Sequence, residues 1–368
     1  MRFVMFCHSL VSDWNHGNAH FLRGIVSELQ AAGHLVDVYE PEDGWSRTNL
    51  LEERGQSAVA AFEARFPSLR SMTYAPGGPE LETALAGADV VIVHEWTDPA
   101  LVAALGAHRA RRGHYRLLYH DTHHRAVSDR ASWERLPLGG YDAALVFGRA
   151  LAEVYRARSA VPRVFTWHEA ADVRVFHPLP APALRACDLV WIGNWGDDER
   201  AAELDEFLLG PIRTLGLSAE IYGVRYPERA IAALEAAGAV YRGYLPNHEA
   251  PAVFAGARLT VHVPRRYYAE ALPGIPTIRP FEALACGVPM ISAPWQDAEG
   301  LFEAGRDFLY ARSGAEMTRS IAGLLSDEPR RRALAQHGRA TILRRHTCAH
   351  RVAELLQLLR DLGAREAA

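Results

Sequence analysis

The sequence predicts an α/β protein made of two Rossmann-like domains with parallel sheets. Strand-like apolar runs of a few residues alternate with longer amphipathic helical patterns along the whole chain, which is typical of βαβ units. The chain has 368 residues, and single hydrophobic cores rarely grow beyond about 250 residues. A proline-rich segment, HPLPAPALRA at 177–186, separates two such alternating series and is typical of an inter-domain connector.

These observations predict four regions. Residues 1–175 form an N-terminal Rossmann-like domain, and residues 176–186 form a linker. Residues 187–345 form a C-terminal Rossmann-like domain. The pattern AHRVAELLQLLRDL places its leucines at helical spacing, so we expect a bracing helix within 346–368.

The first βαβ unit is the clearest part of the pattern. RFVMFC is typical of a strand, AHFLRGIVSELQAAGH of an amphipathic helix that ends at Gly33, and LVDVYE of the next strand. We expect further strands in this half at 89–94, 116–120, 143–147 and 164–166. In the second half, DLVWIG, SAEIYG, LTVHV and VPMIS are the predicted strands.

The composition excludes several classes of function. The net charge of −4 argues against a nucleic-acid partner, since nucleic-acid-binding domains carry excess positive charge. The longest apolar runs are far shorter than the ~20 residues of a spanning helix, so we expect at most peripheral membrane contact. The few cysteines are widely spaced and form no CxxC pair, which indicates neither a disulfide framework nor a zinc cluster and favours a reducing cytoplasm.

The chain contains no lysine. A Walker-type P-loop requires a lysine on the phosphates, and a Schiff-base enzyme requires the lysine amine. Both classes are therefore excluded. Arginine supplies a planar, permanently charged fork that fits phosphate oxygens, so binding of any phosphate depends on arginine.

The segment IPTIRPFEALACGVPMISAPW at 275–295 is the most informative part of the sequence. It places a glutamate on the first turns of a helix that ends at Gly287, with a strand directly after it. This segment resembles the donor-binding segment of the two-domain retaining glycosyltransferases (glycosyl transferases group 1), especially their spore-maturation-protein-like branch. HGNAHFLRGIVSELQAAGH, FTWHEAADVRVFHPLP and GLFEAGRDFLYA follow the family's order and approximate spacing, so the resemblance covers nearly the whole chain.

The resemblance implies the GT-B architecture, in which two Rossmann-like domains face each other across an interdomain cleft. It implies that the N-terminal domain lies on the acceptor side and that the C-terminal domain binds a nucleotide-sugar. Transfer would then follow closure of the domains on the donor, with arginine and helix N-terminal amides stabilising the diphosphate leaving group.

The resemblance also implies donor-binding residues. Glu282 stands where the family's glutamate binds the ribose hydroxyls, and a carboxylate accepts hydrogen bonds from both. Backbone N–H groups at the start of this helix, with Arg279, would face the diphosphate. The alternative is that Glu282 only stabilises the helix dipole. Many relatives carry a second glutamate eight residues earlier, where this chain has Gly274, so sugar recognition and stereochemistry stay open.

Loops after predicted strands of the second half supply further donor-binding candidates. Gly193 and Asn194 lie between a strand and a helix, the usual phosphate-facing position. Arg200 is the first candidate for the phosphate, with an exposed ion pair to Asp197 or Glu199 as the alternative. The other candidates are Arg225 and Arg265 for the diphosphate, and Tyr244 and Leu245 for the base, with a packed surface turn as the alternative for Tyr244.

The first catalytic candidates lie in the loop SDWNHGNAHF. His16 is a candidate general base, since histidine titrates near neutral pH. Asp13 would orient His16, and Gly17 would offer a backbone contact to the donor. The alternative is that Asp13 and Asn18 cap the following helix.

YHDTHHR supplies the second pair of catalytic candidates, His120 and Asp121, at the carboxyl end of a predicted strand, where ligand crevices open. A metal site is disfavoured, because the adjacent His123 and His124 do not easily share one ion and no thiolate supports them. We expect neither a metal nor another cofactor.

The sequence therefore predicts a metal-independent glycosyltransferase of the hexosyltransferase type, with retention favoured by the resemblance. UDP is the commonest nucleotide for such donors, and the acceptor is a small molecule, a glycan or a lipid-linked molecule in bacterial glycan or natural-product glycosylation. Two alternatives remain: a nucleotide-sugar epimerase on the same fold, and a catalytically inactive nucleotide-sugar-binding protein. A nicotinamide-dependent dehydrogenase is disfavoured, because neither strand–helix turn carries GxGxxG.

Overall fold

The computed structural model of the chain describes residues 1–180, 182, 186–196 and 198–364. Parts of the predicted linker 176–186 and of the predicted helix 346–368 lie outside these described residues. The contacts divide the chain into two compact units. The first unit contains Met1–Glu169 and the segment from Cys348 onward, and the second contains Ala170–Thr347.

The boundary between the units lies a few residues before the expected position at 175. Ala171 forms an isolated β-bridge with Thr347, and its N–H donates a hydrogen bond to the carbonyl of His346 at 3.0 Å. Ala171 and Phe176 also belong to the hydrophobic core of the second unit. The stretch before the proline-rich segment therefore packs with the second unit.

Seven parallel strands form the sheet of the first unit, in the order β3-β2-β1-β4-β5-β6-β7. Phe3 in the central strand β1 lies opposite Val36 on one side and Val90 on the other. The central strands are buried along nearly their whole length, as expected for a parallel sheet covered on both faces. The strands are β1 (Arg2–Phe6), β2 (Leu35–Pro41), β3 (Met72–Tyr74), β4 (Val90–His94), β5 (Arg116–Asp121), β6 (Ala143–Val146) and β7 (Val164–Thr166).

Helices follow most strands of this sheet, and their ends carry recognisable signals. The helix that follows β4 begins after Asp98, whose carboxylate accepts a hydrogen bond from the N–H of Ala100, and it ends at Gly113 in the left-handed conformation. The helices are α1 (Ala19–Ala31), α2 (Trp45–Arg54), α3 (Gln56–Arg65), α4 (Leu81–Ala84), α5 (Pro99–Arg112), α6 (Arg125–Ser128), α7 (Arg130–Glu134) and α8 (Arg149–Arg158).

Six parallel strands form the sheet of the second unit, in the order β10-β9-β8-β11-β12-β13. The strands are β8 (Cys187–Ile192), β9 (Ala219–Tyr222), β10 (Ala239–Gly243), β11 (Ala257–His262), β12 (Met290–Ser292) and β13 (Leu309–Tyr310). The helices are α9 (Ala201–Leu204), α10 (Gly210–Leu215), α11 (Glu228–Ala236), α12 (Ala250–Gly256), α13 (Ile278–Ala285), α14 (Gly314–Ser326) and α15 (Glu328–Arg345). A π-helical turn, Asp205–Leu209, joins α9 to α10, a second π-helical turn lies at Tyr267–Ala271, and a 3-10 turn lies at Asn247–Glu249.

The last described helix, α16 (Cys348–Ala364), returns to the first unit. It packs against α1, and the indole N–H of Trp167 donates to the carbonyl of Arg351 at 2.9 Å. The helix lies within the predicted range 346–368, and these contacts join it to the first unit.

The prediction of an α/β protein with two parallel-sheet, Rossmann-like domains is confirmed. Three strands were not predicted, and each lies at an edge of its sheet: β3, β10 and β13. Their residues are largely exposed or half-buried, so these segments lack the continuous apolar run that marks a central parallel strand. In the described part of the chain, no helix has the length and apolar character needed to span a bilayer.

The close approach of α5 to the loop before β6 gives a test of the packing. A Cβ atom added at Gly106 would overlap the carbonyl oxygen of Gly139. We expect Gly106→Ala to lower the free energy of unfolding by about 1–3 kcal/mol, the usual cost of overpacking, measured by urea denaturation. Gly363 is the matched control, because it is also helical and a Cβ there meets no atom within 4 Å. Gly363→Ala should leave the free energy of unfolding unchanged or raise it. Equal losses of stability in both variants would contradict the close approach of α5 to the loop before β6.

Candidate functional site

Each sheet has one point where the strand order reverses. In the first sheet this point lies between β1 and β4, and in the second between β8 and β11. Ligand crevices in open parallel sheets form at the carboxyl ends of the strands beside such a point. The loops that follow these strands carry most of the residues predicted from the sequence.

Asp13 lies in the loop after β1 and is 7% exposed. Its carboxylate forms an ion pair with Arg23 at 2.7 Å, and Arg23 also donates to the carbonyls of Leu10 and Val11. Asp13 therefore helps to hold the loop on α1. The role of Asp13 in orienting His16 stays a prediction.

The alternative role of Asn18, a side-chain cap on α1, is not observed. Asn18 occupies the N-cap position but makes no side-chain cap hydrogen bond. Its amide instead donates to the hydroxyl of Thr122, in the loop after β5. Gly17, the predicted backbone contact, precedes Asn18 in the same loop and is half-buried.

Four imidazole rings lie side by side at the carboxyl edge of the first sheet. We call them the histidine row: His8, His16, His94 and His120. Neighbouring ring centroids lie 5.2, 5.8 and 5.4 Å apart. Burial lowers the pKa of His8 and of His120 to about 4 and lowers the pKa of His16 and of His94 well below the ordinary range. The histidine row is therefore neutral at pH 7.

The neutral state has a consequence for His16 as the predicted general base. Its imidazole is 5% exposed, and its Nε2 has no hydrogen-bond partner among the described residues. The Nε2 atom is itself buried, and the lowered pKa makes the ring a weak base at neutral pH.

His120 and Asp121, the other catalytic candidates, lie on opposite faces of β5. Both are fully buried. His120 packs between Phe21 and Trp167, with centroids 5.9 and 5.0 Å away, and neither ring nitrogen has a described hydrogen-bond partner. The Asp121 carboxylate accepts from the hydroxyl of Tyr155 at 2.5 Å. Both side chains therefore lie in the interior of the first unit.

Glu95 is a residue that the sequence analysis did not select. It follows β4, is 1% exposed, and accepts hydrogen bonds from the N–H and the hydroxyl of Thr122. Burial, followed by the neighbouring Asp121, raises the pKa of Glu95 well above its ordinary value. Through Thr122 it connects the loop after β5 to Asn18 in the loop after β1. Only tertiary contact reveals this network, since its members lie far apart in sequence.

Arg200 lies at the reversal point of the second sheet and is 8% exposed. Its guanidinium donates to the carbonyl of Val263, beyond β11, at 2.7 Å and to the carbonyl of Asn194, beyond β8, at 2.5 Å. Burial, and next the charge of Arg265, lower the pKa of Arg200 to about 10. The guanidinium therefore stays charged at pH 7 although it is buried.

The predicted exposed ion pair of Arg200 is not observed. Glu199 pairs with Arg265 instead, at 2.7 Å, and Asp197 lies outside the described residues. Within the described part of the chain no carboxylate forms an ion pair with Arg200, and its Nε has no hydrogen-bond partner there. The guanidinium lies 5.3 Å from the centroid of the Trp191 ring, but its described hydrogen bonds go only to carbonyl oxygens. Its charge is therefore incompletely compensated.

Gly193 and Asn194 connect the loops after β8 and β9. The Asn194 side-chain oxygen accepts from the N–H of Val224 at 3.0 Å, and the carbonyl of Gly193 accepts from the hydroxyl of Tyr226 at 2.8 Å. A Cβ on Gly223 would overlap the Gly193 carbonyl, so the two loops touch backbone to backbone. Through these contacts Gly193 and Asn194 hold the loops after β8 and β9 together at the carboxyl edge of the second sheet.

Glu282 lies on α13 and is fully buried, where it forms an ion pair with Arg279. The helix begins after Thr277, whose side chain makes no cap hydrogen bond. Gly274, in the place of the family's earlier glutamate, has a φ of +88°. A Cβ there would lie 3.0 Å from the Cβ of Ala298, so this backbone packs directly against another loop.

The other predicted donor-binding residues lie in loops at the same edge of the second sheet. Arg225, after β9, is exposed and has a φ of +60°. Arg265, after β11, is held by Glu199. Tyr244 and Leu245 follow β10; Tyr244 is 8% exposed, and Leu245 packs on the core.

A cavity of about 350 Å³ opens in the second unit beyond β11 and β12. Its walls include Phe207, Trp295 and Tyr310 together with the charged side chains of Arg266 and Glu270. None of the predicted donor-binding residues is among its described walls. The described residues also contain no group of three or more His, Cys, Asp or Glu side chains placed to hold a metal ion.

The buried histidine row gives the protein a defined pH dependence. The pKa of His120 is about 4 in the folded protein, against an ordinary value of 6.5. The unfolded chain therefore takes up protons between pH 6.5 and pH 4 that the folded protein does not, and the free energy of unfolding falls as the pH falls through this window. His120→Phe should remove about 2 kcal/mol of the loss between pH 7 and pH 5, measured by urea denaturation at both values.

The control for this experiment is His114→Gln, which replaces an exposed histidine of the same unit and should keep the native pH dependence. An identical pH dependence in His120→Phe and the native protein would show that the His120 ring does not contribute to the acid sensitivity.

Comparison with known proteins gives one family match. Residues 200–357 match the family described as glycosyl transferase-like. This segment is less than half of the 368 residues and contains Arg200, Glu282 and the cavity walls. Among curated proteins none matches the chain.

Solved structures match over the whole length. Sucrose-phosphate synthase from Thermosynechococcus elongatus superposes with a TM-score of 0.65 at 16% identity, covering 99% of this chain and 100% of that chain. HepE (Alr3699) from Anabaena, in complex with UDP, gives 0.68 at 12% identity, with 98% and 100% covered. T4 phage BGT, a β-glucosyltransferase in complex with UDP-glucose, gives 0.60 at 14% identity, with 98% and 99% covered.

At these identities the structures establish the fold alone, and the family match is confined to residues 200–357. The spore-maturation-protein-like branch stays a prediction. The chain has the GT-B fold, its residues 200–357 match the glycosyl transferase-like family, and it is a glycosyltransferase.

Proposed function

We propose that this glycosyltransferase takes its sugar from a UDP-sugar bound by the second unit and transfers it to an acceptor hydroxyl. HepE has been determined with UDP and glucose, and T4 phage BGT with UDP-glucose as its substrate. Those ligands belong to those proteins. They support UDP as the first nucleotide to test on a chain of the same fold.

The observation that carries the proposal is the buried charge of Arg200. Its guanidinium lies at the strand-order reversal between β8 and β11, fixed by the carbonyls of Asn194 and Val263. It lacks a carboxylate partner among the described residues. A diphosphate supplies the negative charge that compensates a buried guanidinium, and arginine suits phosphate oxygens.

Glu282 and the start of α13 fit the rest of the nucleotide. The first N–H groups of α13 have no side-chain cap from Thr277, and such groups bind anions. The Glu282 carboxylate, fixed by Arg279, accepts hydrogen bonds from ribose hydroxyls in this proposal. Tyr244 and Leu245 would lie against the base.

In the proposed reaction the acceptor oxygen forms a bond to the anomeric carbon while the bond from that carbon to the diphosphate oxygen breaks. The electron pair leaves with UDP, and the hydroxyl proton passes to the diphosphate or to water. Arg200, Arg279 and the α13 N-terminus stabilise the charge that develops on the leaving group, so no divalent cation takes part. Retention follows the family resemblance. Because Gly274 stands in the place of the family's glutamate, backbone groups contact the donor sugar instead of a glutamate side chain.

Nucleotide selectivity tests the donor site directly. We expect UDP to raise the melting temperature of the native chain more than CDP, ADP or GDP, because a ligand at about 100 times its Kd adds about 2.7 kcal/mol of stability. Glu282→Gln keeps the shape of the side chain, removes its charge and should abolish the shift. Glu235→Gln, on the exposed face of α11, is the matched control and should keep it. Absence of a shift with every nucleotide would contradict the proposal.

Turnover tests the role of Arg200. We expect Arg200→Met to lower kcat by roughly 10²–10³-fold, the usual effect of removing one group that stabilises developing negative charge, with Arg200→Lys intermediate. The measurement is UDP release from the UDP-sugars that stabilise the chain, with the anomeric configuration of the product followed by NMR. Arg213→Met, which breaks an exposed ion pair with Asp205, is the control. Full turnover in a folded Arg200→Met protein would remove Arg200 from the mechanism.

A further inference from the structure

The reversal point of the second sheet carries more charged side chains than Arg200 alone. Two further arginines lie in the loop after β11. Two glutamates lie beside Arg200, one directly before it and one in the first turn of α9. We call these five side chains the charge cluster: Glu199, Arg200, Glu203, Arg265 and Arg266.

Each carboxylate of the charge cluster holds one of the two loop arginines. Glu199 accepts hydrogen bonds from Nε of Arg265 at 2.7 Å and from the backbone N–H of Arg266 at 3.0 Å. Glu203 accepts from Nη2 and Nε of Arg266 at 2.9 and 3.1 Å. Arg200 pairs with no carboxylate in the described part of the chain. Three guanidiniums and two carboxylates therefore leave one positive charge uncompensated, that of Arg200.

The pair of Glu199 with Arg265 lies close enough to Arg200 to influence the charge at the proposed phosphate site. The two side chains are only 14% and 26% exposed, so solvent and salt screen their charges less than those of a surface pair. After burial, the charge of Arg265 is the largest cause of the lowered pKa of Arg200. An anion bound by Arg200 would therefore also interact with Arg265, whose charge Glu199 neutralises in this arrangement.

The nucleotides that enter such a site differ in charge. A UDP-sugar carries about two negative charges, one on each phosphate, whereas UDP carries about three and UTP about four, because a terminal phosphate also ionises with a pKa of about 6. The donor is therefore the least charged of the three ligands. A site with additional positive charge would favour UDP and UTP over the donor, since the Coulomb attraction grows with each ligand charge.

We propose that Glu199 is a specificity-determining residue of the donor site. By holding Arg265, it limits the positive charge beside Arg200, so that a UDP-sugar competes with the more highly charged UDP and UTP. The same pairing helps UDP to leave after transfer, because UDP carries more charge than the donor it comes from. This inference rests on the proposed function, since it concerns the selectivity of the same UDP-sugar site.

A purely structural role of Glu199 gives the opposite expectation. Glu199 and Arg200 hold the same loop, the first through the N–H of Arg266 and the second through the carbonyl of Val263. If Glu199 only anchored this loop, its loss would loosen the loop and weaken the binding of every nucleotide. Release of Arg265 instead strengthens binding, and most strongly for the ligand with the largest charge.

The test measures the Kd of UDP-glucose, UDP and UTP by isothermal titration calorimetry on the full chain. EDTA is present, so that no divalent cation changes the charge of the nucleotides. The main variant is Glu199→Gln, whose amide oxygen still accepts from the N–H of Arg266 but does not neutralise Arg265. The double variant Glu199→Gln/Arg265→Met also removes the released guanidinium. The matched control is Asp205→Asn, which removes one carboxylate of the same unit and releases Arg213, a residue outside the charge cluster.

We expect Glu199→Gln to bind UDP-glucose about threefold, UDP about tenfold and UTP about thirtyfold more tightly than the native chain does, since each ligand charge adds to the attraction. The gains should shrink when the NaCl concentration rises from about 0.05 M to about 0.5 M. They should be absent in the double variant and in Asp205→Asn. Arg265→Met alone leaves Glu199 in place and gives a second test, in which binding should weaken most for UTP and least for UDP-glucose.

Several results would overturn the inference while the proposed function stands. These are equal changes for UDP and UTP, weaker binding of every nucleotide by a folded Glu199→Gln protein, gains that persist in the double variant, and equal gains in Asp205→Asn. If Glu199→Gln does not fold, an equal effect of Arg265→Met on UDP and UTP would overturn it as well. Failure of the native chain to bind any of the three nucleotides would contradict the proposed function, and this inference with it.

Discussion

The buried guanidinium of Arg200 fixes the carboxyl edge of the second sheet. It joins the loop after β8 to the segment after β11 through two carbonyl oxygens, across the point where the strand order reverses. Taking a guanidinium out of water costs several kcal/mol unless its charge is compensated, and two neutral carbonyls compensate it only in part. Arg200 holds the carbonyl of Asn194, and Asn194 in turn contacts the loop after β9, so the shape of the proposed phosphate site depends on this group.

The corresponding edge of the first unit carries a row of neutral imidazoles beside the Asp13–Arg23 ion pair. Burial lowers the pKa values of the histidine row and raises that of Glu95. A charged phosphate gains little from such groups, whereas hydroxyls hydrogen-bond to neutral imidazoles without a large desolvation cost. The two sheets thus share one topology but present different chemistry at their reversal points.

Sequence reasoning predicted the fold class, the central strands and the class of enzyme. These three predictions depend on apolar periodicity and on a local motif, and each of these signals lies within one continuous segment of the chain. The edge strands β3, β10 and β13 were missed, because half-exposed residues leave no apolar run. The ion pair of Asp13 with Arg23 and the network of Glu95 with Thr122 and Asn18 were missed for another reason, since they join residues from separate loops.

The passage of the chain between its two units has a consequence for biosynthesis. The first unit is interrupted after Glu169 and resumes at Cys348, where α16 packs on α1 and Arg351 accepts the hydrogen bond of Trp167. A ribosome therefore delivers the whole second unit before the helix that covers α1. The first unit therefore emerges first but is completed last. Its nascent sheet must persist with α1 uncovered by α16 while the second unit folds. During this interval the apolar surface of α1 is exposed to chaperones.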